Sequence, residues 1–376
     1  MPYDKPHAVS PGLWALAWKR LRADRVAMVS LAIVAVFLLM MVLSGTGLIA
    51  KDWAKEVGVN YAPPTFIGPA EPAPGATNAP AASSASEKPT ELPIEDPLAD
   101  ALAAIRNEGA AAPKAPAGSV AEESKTVDPL ADVMADIKSK AVATVAAEAR
   151  APTLPLGGDK WGRDVLKKVI KGSETSIFVG LAAAFVATVL GTVFGAIAGY
   201  YGKWIDDFFN WFYSVFTAIP YLLLILAVAA VLQQKGTFTI VLILGLTGWT
   251  GTFRLIRGEY LKHKGREYVQ AADAIGASNA RRMFVHIFPN ISHVVLVQLS
   301  IYTVAFIKSE VILSFLGFGV PVDVVSWGSM LNEAQNELIL GKWWQLAAAG
   351  TFMAVLVTAF SLFTDALRDA LDPKLK

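Results

Sequence analysis

The chain has 376 residues, 54% of them hydrophobic and only 17% charged, with a mean hydropathy of +0.46; that balance excludes a wholly soluble enzyme and points to a membrane protein. A formal charge of +1 leaves no global footprint for nucleic acid or another polyanion, so only the local placement of charge is informative. The absence of cysteine excludes disulfides, thiolate chemistry and cysteine-type zinc sites, and His7, His263, His286 and His293 have no ligand spacing among them.

In chain order, residues 10–25 place Trp14, Trp18 and Leu21 on one helical stripe, followed by Lys19, Arg20, Arg22 and Arg25. This pattern predicts an amphipathic helix at the inner leaflet, where aromatic rings anchor and basic groups meet anionic lipid, with a plain cytoplasmic start to the first span as the alternative. A bilayer core about 30 Å thick needs about 20 apolar residues to cross as a helix. Six stretches qualify: 26–43, 177–200, 208–232, 238–253, 291–315 and 344–363. The first exceeds the apolar run of a signal peptide and is read as a retained anchor. The fifth is the most polar, carrying His293, Gln298, Lys308 and Glu310, groups that must face protein or water at that depth.

The basic residues before the first span place the N-terminus in the cytoplasm by the positive-inside rule, and six spans return the C-terminus to the same side. The loop between spans four and five, expected inside, agrees: it holds Arg254, Arg257, Lys262, Lys264, Arg266, Arg281 and Arg282.

Residues 61–155 differ in kind, holding 14 of the 21 prolines. Such a composition buries too little apolar surface to offset chain entropy, so a largely disordered outer segment is expected. Asp96-Pro97-Leu98-Ala99-Asp100 recurs as Asp128-Pro129-Leu130-Ala131-Asp132, each predicting a short amphipathic helix with Asp at the N-cap and Pro at N1. The segment reads either as a solvated linker or as a docking element for an outer partner.

No phosphate-binding loop, nucleophile elbow or H-E-x-x-H motif is present. Gly191, Gly195 and Gly199 lie inside the second span, where small residues four apart permit close helix packing. The most specific signal is the inner loop from Glu267 to Ser278, continuing through Arg281-Arg282 to His286-Ile287-Phe288-Pro289-Asn290. Tyr268, Ala271, Ala272 and Ile275 share one face of a short helix, Gly276 suits its C′ position, and Ser278 can cap the next helix. This two-helix element presents its face either to another protein or to lipid.

That loop resembles the E-A-A-x3-G-x9-I-x-L-P motif of ABC importer permeases. Leu156-Gly157-Gly158-Asp159 with Gly162-Arg163-Asp164-Val165, Ser314-Phe315-Leu316-Gly317-Phe318-Gly319, Ser326-Trp327-Gly328-Ser329-Met330-Leu331 and Arg368-Asp369-Ala370-Leu371-Asp372-Pro373 resemble further signatures of the dipeptide/oligopeptide/nickel class. The similarity covers residues 10–50 loosely and 155–376 closely. Gln270 stands where the motif has Glu, Phe288 where it has Leu and Glu174 where Arg is usual, and the long insertion has no counterpart.

The resemblance implies an all-α membrane protein with the six-span type I ABC importer permease fold, N-terminus and C-terminus inside, in a bacterial inner membrane. Its parts would be a cytoplasmic amphipathic segment (1–25), a first transmembrane helix (26–50), a Pro/Ala-rich periplasmic insertion (51–155) and a permease domain (156–376) with coupling helices near 265–290. The implied partners are a second permease, two ATPase subunits and a periplasmic binding protein. Peptide is the expected substrate and a nickel chelate the alternative. The chain itself would have no catalytic centre and no cofactor, ATP and magnesium being bound by the partner ATPases. Glu267, Tyr268, Gln270, Ala271, Ala272, Gly276, Ser278, Arg281 and Pro289 would couple to an ATPase. Glu310, which matches a family position, would face the translocation path or the partner permease, with a buried, internally satisfied charge as the alternative. A channel or secondary transporter would instead show inverted repeats and broken spans with midplane charges, of which the sequence offers only Pro220 in the third span and Lys308 and Glu310 in the fifth.

Overall fold

The computed structural model describes residues 13–69 and 150–371, and these carry helices and isolated bridges but no extended strand. In order the helices are α1 (Leu13–Ala23), α2 (Arg25–Gly45), α3 (Val165–Tyr201), α4 (Lys203–Thr217), α5 (Tyr221–Leu232), α6 (Thr237–Thr247), α7 (Thr250–Lys264), α8 (Glu267–Ala274), α9 (Asn279–Phe315), α10 (Trp327–Ile339) and α11 (Trp344–Leu371). Four of them, α2, α3, α9 and α11, are long and apolar enough to cross a bilayer, and the number of spans rises to six where each of two bent pairs is one span. All six expected stretches are helical, but the third and fourth are bent pairs rather than straight spans. α4 and α5 meet at 85°, α6 and α7 at 41°. The sharper bend falls at Pro220, the N-cap of α5, where the ring removes an amide donor and disfavours helix in the preceding residue.

The central helix is α3. Along one side it approaches α7 so closely that a Cβ on Gly191, Gly195 or Gly199 would lie 2.6, 2.7 or 2.6 Å from the carbonyl oxygens of Trp249, Phe253 and Arg257. The four-residue spacing thus serves packing, as expected. On its other sides α3 meets α2, α9, α10 and α11 in a core that includes Val169, Ile177, Ile307, Trp327 and Leu356. α4 lies along α7, with Phe212 stacked on Trp249 at 5.3 Å and a two-pronged ion pair between Arg257 and Asp206.

α1 forms where the amphipathic helix is expected, but its stripe divides. Leu21 and Ala17 pack against Ala370 and Leu371 at the end of α11. Trp14 and Trp18 stay outside, with the Arg22 guanidinium 4.9 Å over the Trp18 ring. The first and last described helices are thereby joined at one end of the bundle.

At the other end a cap joins residues 51–69 to 150–164. Gly58 pairs with Ala151, Pro64 with Leu154 and Glu56 with Arg163, and Arg150 meets Glu56 at 2.6 Å. The expected disordered stretch of 61–155 is therefore too wide at both ends. Compositional reading averages over the prolines at 63, 64, 152 and 155, yet Ala62 and Leu154 are buried and the backbone groups around them are paired. The two Asp-Pro-Leu-Ala-Asp segments lie outside the described residues.

The L-G-G-D and G-R-D-V residues build this cap. Asp159 is fully buried; its Oδ1 accepts from the amides of Trp161 and Arg163, both at 2.9 Å, and its Oδ2 from Lys168 at 2.8 Å. Asp164 caps α3 by accepting from Leu166 N. Ser326 and Ser329 cap α10 reciprocally, and Trp327 Nε1 donates to the Val169 carbonyl at 3.1 Å.

Candidate functional site

The two-helix element at the end opposite the cap is built from its own turn chemistry. α7 stops at Gly265, and α8 runs for only eight residues because Gly276, at φ +82°, reverses the chain. The amide of Gly276 donates to the Asp273 carbonyl and that of Ala277 to Ala272, the paired bonds of a Schellman stop. Ser278 then caps the next helix, its hydroxyl accepting from Arg281 N at 3.3 Å. Residues 282–287 widen into a π-helical turn just before Pro289. A proline there has no amide for the carbonyl four residues back and its ring would strike it, so the helix loosens over that turn.

Several bonds fix this element to the bundle. Val269 of α8 packs with Tyr260, Met283 and Ile287, Ala272 is buried on the same side, and the Tyr260 hydroxyl donates to the Met283 carbonyl. Tyr200, at the end of α3, donates to Asn279 Oδ1 at 3.0 Å, while Lys264 donates to the Tyr200 carbonyl at 2.6 Å. Arg282 bridges Asp273 and Asn279. A displacement of α8 is therefore carried to α3, α7 and α9 together.

The outward side carries uncovered apolar residues: Ile275 is 84% exposed, and Tyr268, Phe284 and Val285 are exposed as well. This corrects the expected face in one respect. Tyr268, Ala271 and Ile275 do face outward, but Ala272 is buried at 3% against the bundle, because the inward stripe is Val269 and Ala272. Among the other expected residues, Glu267, Gln270, Arg281 and Pro289 are exposed. Gln270 bonds back to the Gly265 carbonyl at 3.3 Å, and the Tyr268 hydroxyl lies 2.8 Å from His263 Nδ1.

Glu310 does not belong with them. It is fully buried within the chain, where Ser176 and Ser314 each donate to its carboxylate at 2.7 Å, and Ser176 Oγ in turn accepts from Trp327 N at 3.2 Å. The expectation that Glu310 faces the path or the partner is thus corrected: it ties α9 to α3 and α10. Its neighbour Lys308 points the other way and is exposed. Glu174, the residue in place of the usual Arg, is likewise satisfied internally, by Ser44 at 2.6 Å and Lys171 at 2.7 Å.

Sequence reasoning missed the polar network under the cap. Lys168, 1% exposed, joins Asp159, Glu333 and Gln345, and Gln345 also donates to Glu333 at 3.2 Å. Glu337 is buried next to it, accepts from Lys160 N at 3.3 Å, and has a second carboxylate oxygen with no partner among the described residues. Burial pushes its carboxyl up to about 7, Lys168 opposing the shift and Asp159 and Glu333 adding to it. The one available signal was a Lys nine residues after the Asp of L-G-G-D, a spacing that says nothing without the turn between them.

Comparison with known proteins fits this architecture. Residues 191–376 match the family described as "Binding-protein-dependent transport system inner membrane component", and residues 12–64 match the N-terminal TM domain of oligopeptide transport permease C. The chain is 37% identical over 220 residues to the dipeptide transport system permease protein DppC of Bacillus subtilis, covering 58% of this chain and 68% of the relative. It is also 37% identical to the oligopeptide transport system permease protein OppC of the same organism over 58% of this chain and 72% of that protein. The oligopeptide permease OppC of Haemophilus influenzae is 33% identical, over 60% and 73%. With six apolar spans, a capped central helix and a short exposed helix at one end, the chain is a multi-pass membrane protein and belongs to the family of binding-protein-dependent transport system inner membrane components.

Proposed function

We propose that this chain is one permease subunit of an ATP-driven importer in a bacterial inner membrane. With a second, related permease it forms the path for peptides delivered by a periplasmic binding protein, while two partner ATPases bind ATP and magnesium. The α8 end faces the cytoplasm and the cap faces outward. This orientation rests on the basic residues at 19–25 and 254–282. The peptide assignment rests on the similarity to dipeptide and oligopeptide permeases.

The observation that carries the coupling role is the uncovered face of Tyr268, Ala271 and Ile275 on a helix whose other side is locked to α3, α7 and α9. A protein surface that seats on Ile275 can pull on three spans through α8, and closure of the ATPase pair then switches access from one side to the other. Glu267, Gln270 and Arg281 frame that face as exposed polar groups able to set its orientation, and Gly276, Ser278 and Pro289 shape the turn that presents it.

Ile275→Asp tests this directly, because the side chain is outside the bundle's own packing. The variant is expected to insert and to pair with the second permease, but to lose both ATPase retention on purification and substrate-stimulated ATP hydrolysis. Normal hydrolysis and transport by Ile275→Asp would overturn the coupling role.

A further inference from the structure

Lys308 is the one charged side chain on α9 between the π-turn and Phe315 that is exposed, and its ammonium has no hydrogen bond or ion pair among the described residues. It shares a face of α9 with Ile301 and Ile312, both exposed, while Val304, Ile307, Val311 and Glu310 on the other side are buried. At about 1.5 Å per residue, Lys308 lies about 10 Å along the axis inside the end of the helix at Phe315. It cannot easily climb to that end, because Cα–Cβ bonds tilt towards the helix N-terminus and direct the side chain deeper into the span. A lysine at such a depth has to face water or a compensating charge rather than lipid.

Lower on the same face, Gln298 and Ile301 line a cleft of about 620 Å³ shared with α7 and the end of α11, where Lys262, Arg266 and Arg368 outnumber the carboxylate of Glu259, which pairs with Lys262 at 3.2 Å. Neither Arg266 nor Arg368 forms an ion pair among the described residues. Lys308 therefore stands seven residues, about 10 Å along α9, from Ile301 at the rim of a cleft of net positive charge.

We infer that Lys308 lines the water-filled translocation path and receives an anionic group of the substrate, the C-terminal carboxylate of a peptide being the group that fits. The inference rests on the importer reading for the identity of the substrate, but not for the exposure of Lys308 to water.

The natural chain has no cysteine, so Lys308→Cys gives a single reactive thiol in this subunit. In the complete complex, assembled with cysteine-free partners in proteoliposomes, it is to be treated with a negatively charged methanethiosulfonate and, separately, with lipid-soluble N-ethylmaleimide. Labelling by the charged reagent, slowed severalfold by binding protein loaded with peptide under turnover, is the expected result. Labelling by the maleimide alone would mean that the position faces lipid, no labelling by either that the partner permease covers it, and unprotected labelling that substrate does not pass it; each overturns the inference. Lys308→Gln then tests the charge: loss of one charge-assisted hydrogen bond is expected to slow transport of a peptide with a free C-terminus about tenfold. Lys308→Arg should restore the rate, and transport of the C-terminal amide should be unchanged. Equal loss for acid and amide would overturn the carboxylate assignment. Failure of the wild-type complex to transport either peptide would refute the importer reading instead, leaving intact only the labelling by the charged reagent, which reports the exposure of the position to water.

Discussion

The ammonium of Lys168 meets the carboxylate of Asp159 at 2.8 Å with both side chains removed from solvent. Asp159 is simultaneously the acceptor that closes the turn around Trp161 and Arg163, and Lys168 is the first-turn residue of α3 that reaches Glu333 on α10 and Gln345 on α11. One pair thus holds the cap, the central helix and the two last helices in register.

Removing one partner is expected to cost far more than removing a surface ion pair, because two carboxylates would be left facing each other without a cation. Lys168→Met should destabilise the chain by about 3–5 kcal/mol, the range for breaking a buried pair. Thermal unfolding of the detergent-solubilised complex measures this. Lys171→Met, which removes a partly exposed pair with Glu174, should cost under about 1 kcal/mol. Equal losses for the two variants would show that the network does not hold the cap.

Glu337, on α10 outside the spanning helices, should make the cap sensitive to pH. Its carboxyl ordinarily titrates at 4.5 and is raised to about 7 in the folded protein, so the folded state holds the proton more tightly than the unfolded state. The associated stability is fully present below pH 4.5 and is lost as pH rises through about 7. Its magnitude is at most roughly 3 kcal/mol. Glu337→Gln should therefore unfold like the wild type at pH 4.5 and more stably at pH 8, with Lys168, Asp159 and Glu333 the neighbouring charges in both. Hydrogen exchange across α10 at the two pH values gives the readout, and an unchanged wild-type slope in the variant would be the contrary result.

The close contact of α3 with α7 predicts a steep steric cost. A Cβ on Gly195 would stand 2.7 Å from the Phe253 carbonyl, a backbone atom that cannot swing away as a side chain would. Gly195→Ala should cost about 1–3 kcal/mol by overpacking. Gly258→Ala on α7, where a Cβ meets nothing within 4 Å, should be neutral or slightly stabilising, since Ala exceeds Gly in helix propensity. Thermal unfolding of both variants distinguishes the two outcomes.

Long apolar runs made the spans legible, and turn chemistry made α8 legible: Gly276 and Ser278 do what their residue types predict. Periodicity was blind to three things. It could not show that Pro220 bends a span by 85°, since a proline at a helix start and one at a kink read alike. It could not say which of Lys308 and Glu310 is buried, because a separation of two residues tells only that they point apart. The outward apolar stripe of α8 does not include Ala272, a residue small enough to suit either face, and only its burial at 3% in the folded bundle decides the matter. Ala272→Arg would therefore break the packing of the element itself, which makes the exposed Ile275 the cleaner probe of docking.

The cap also redraws the boundaries of the long insertion. Glu56 pairs with Arg150, Gly58 with Ala151 and Pro64 with Leu154, so the two chain ends that enter and leave residues 70–149 are held side by side by bonds that belong to the bundle. Loop closure cost grows only logarithmically with length, so a short connection between ends already in place should serve as well as a long one. Replacing residues 71–149 by a flexible linker of about ten residues is expected to leave assembly and most transport intact. Replacing 62–150 instead removes the buried Ala62, Pro64 and the Arg150 ion pair, and should lower the yield of folded complex. If the insertion helps to dock the binding protein, transport by the 71–149 replacement will fall at low binding-protein concentration and recover at high concentration. Loss of folding in the 71–149 replacement would show that the bundle depends on the segment for more than its ends.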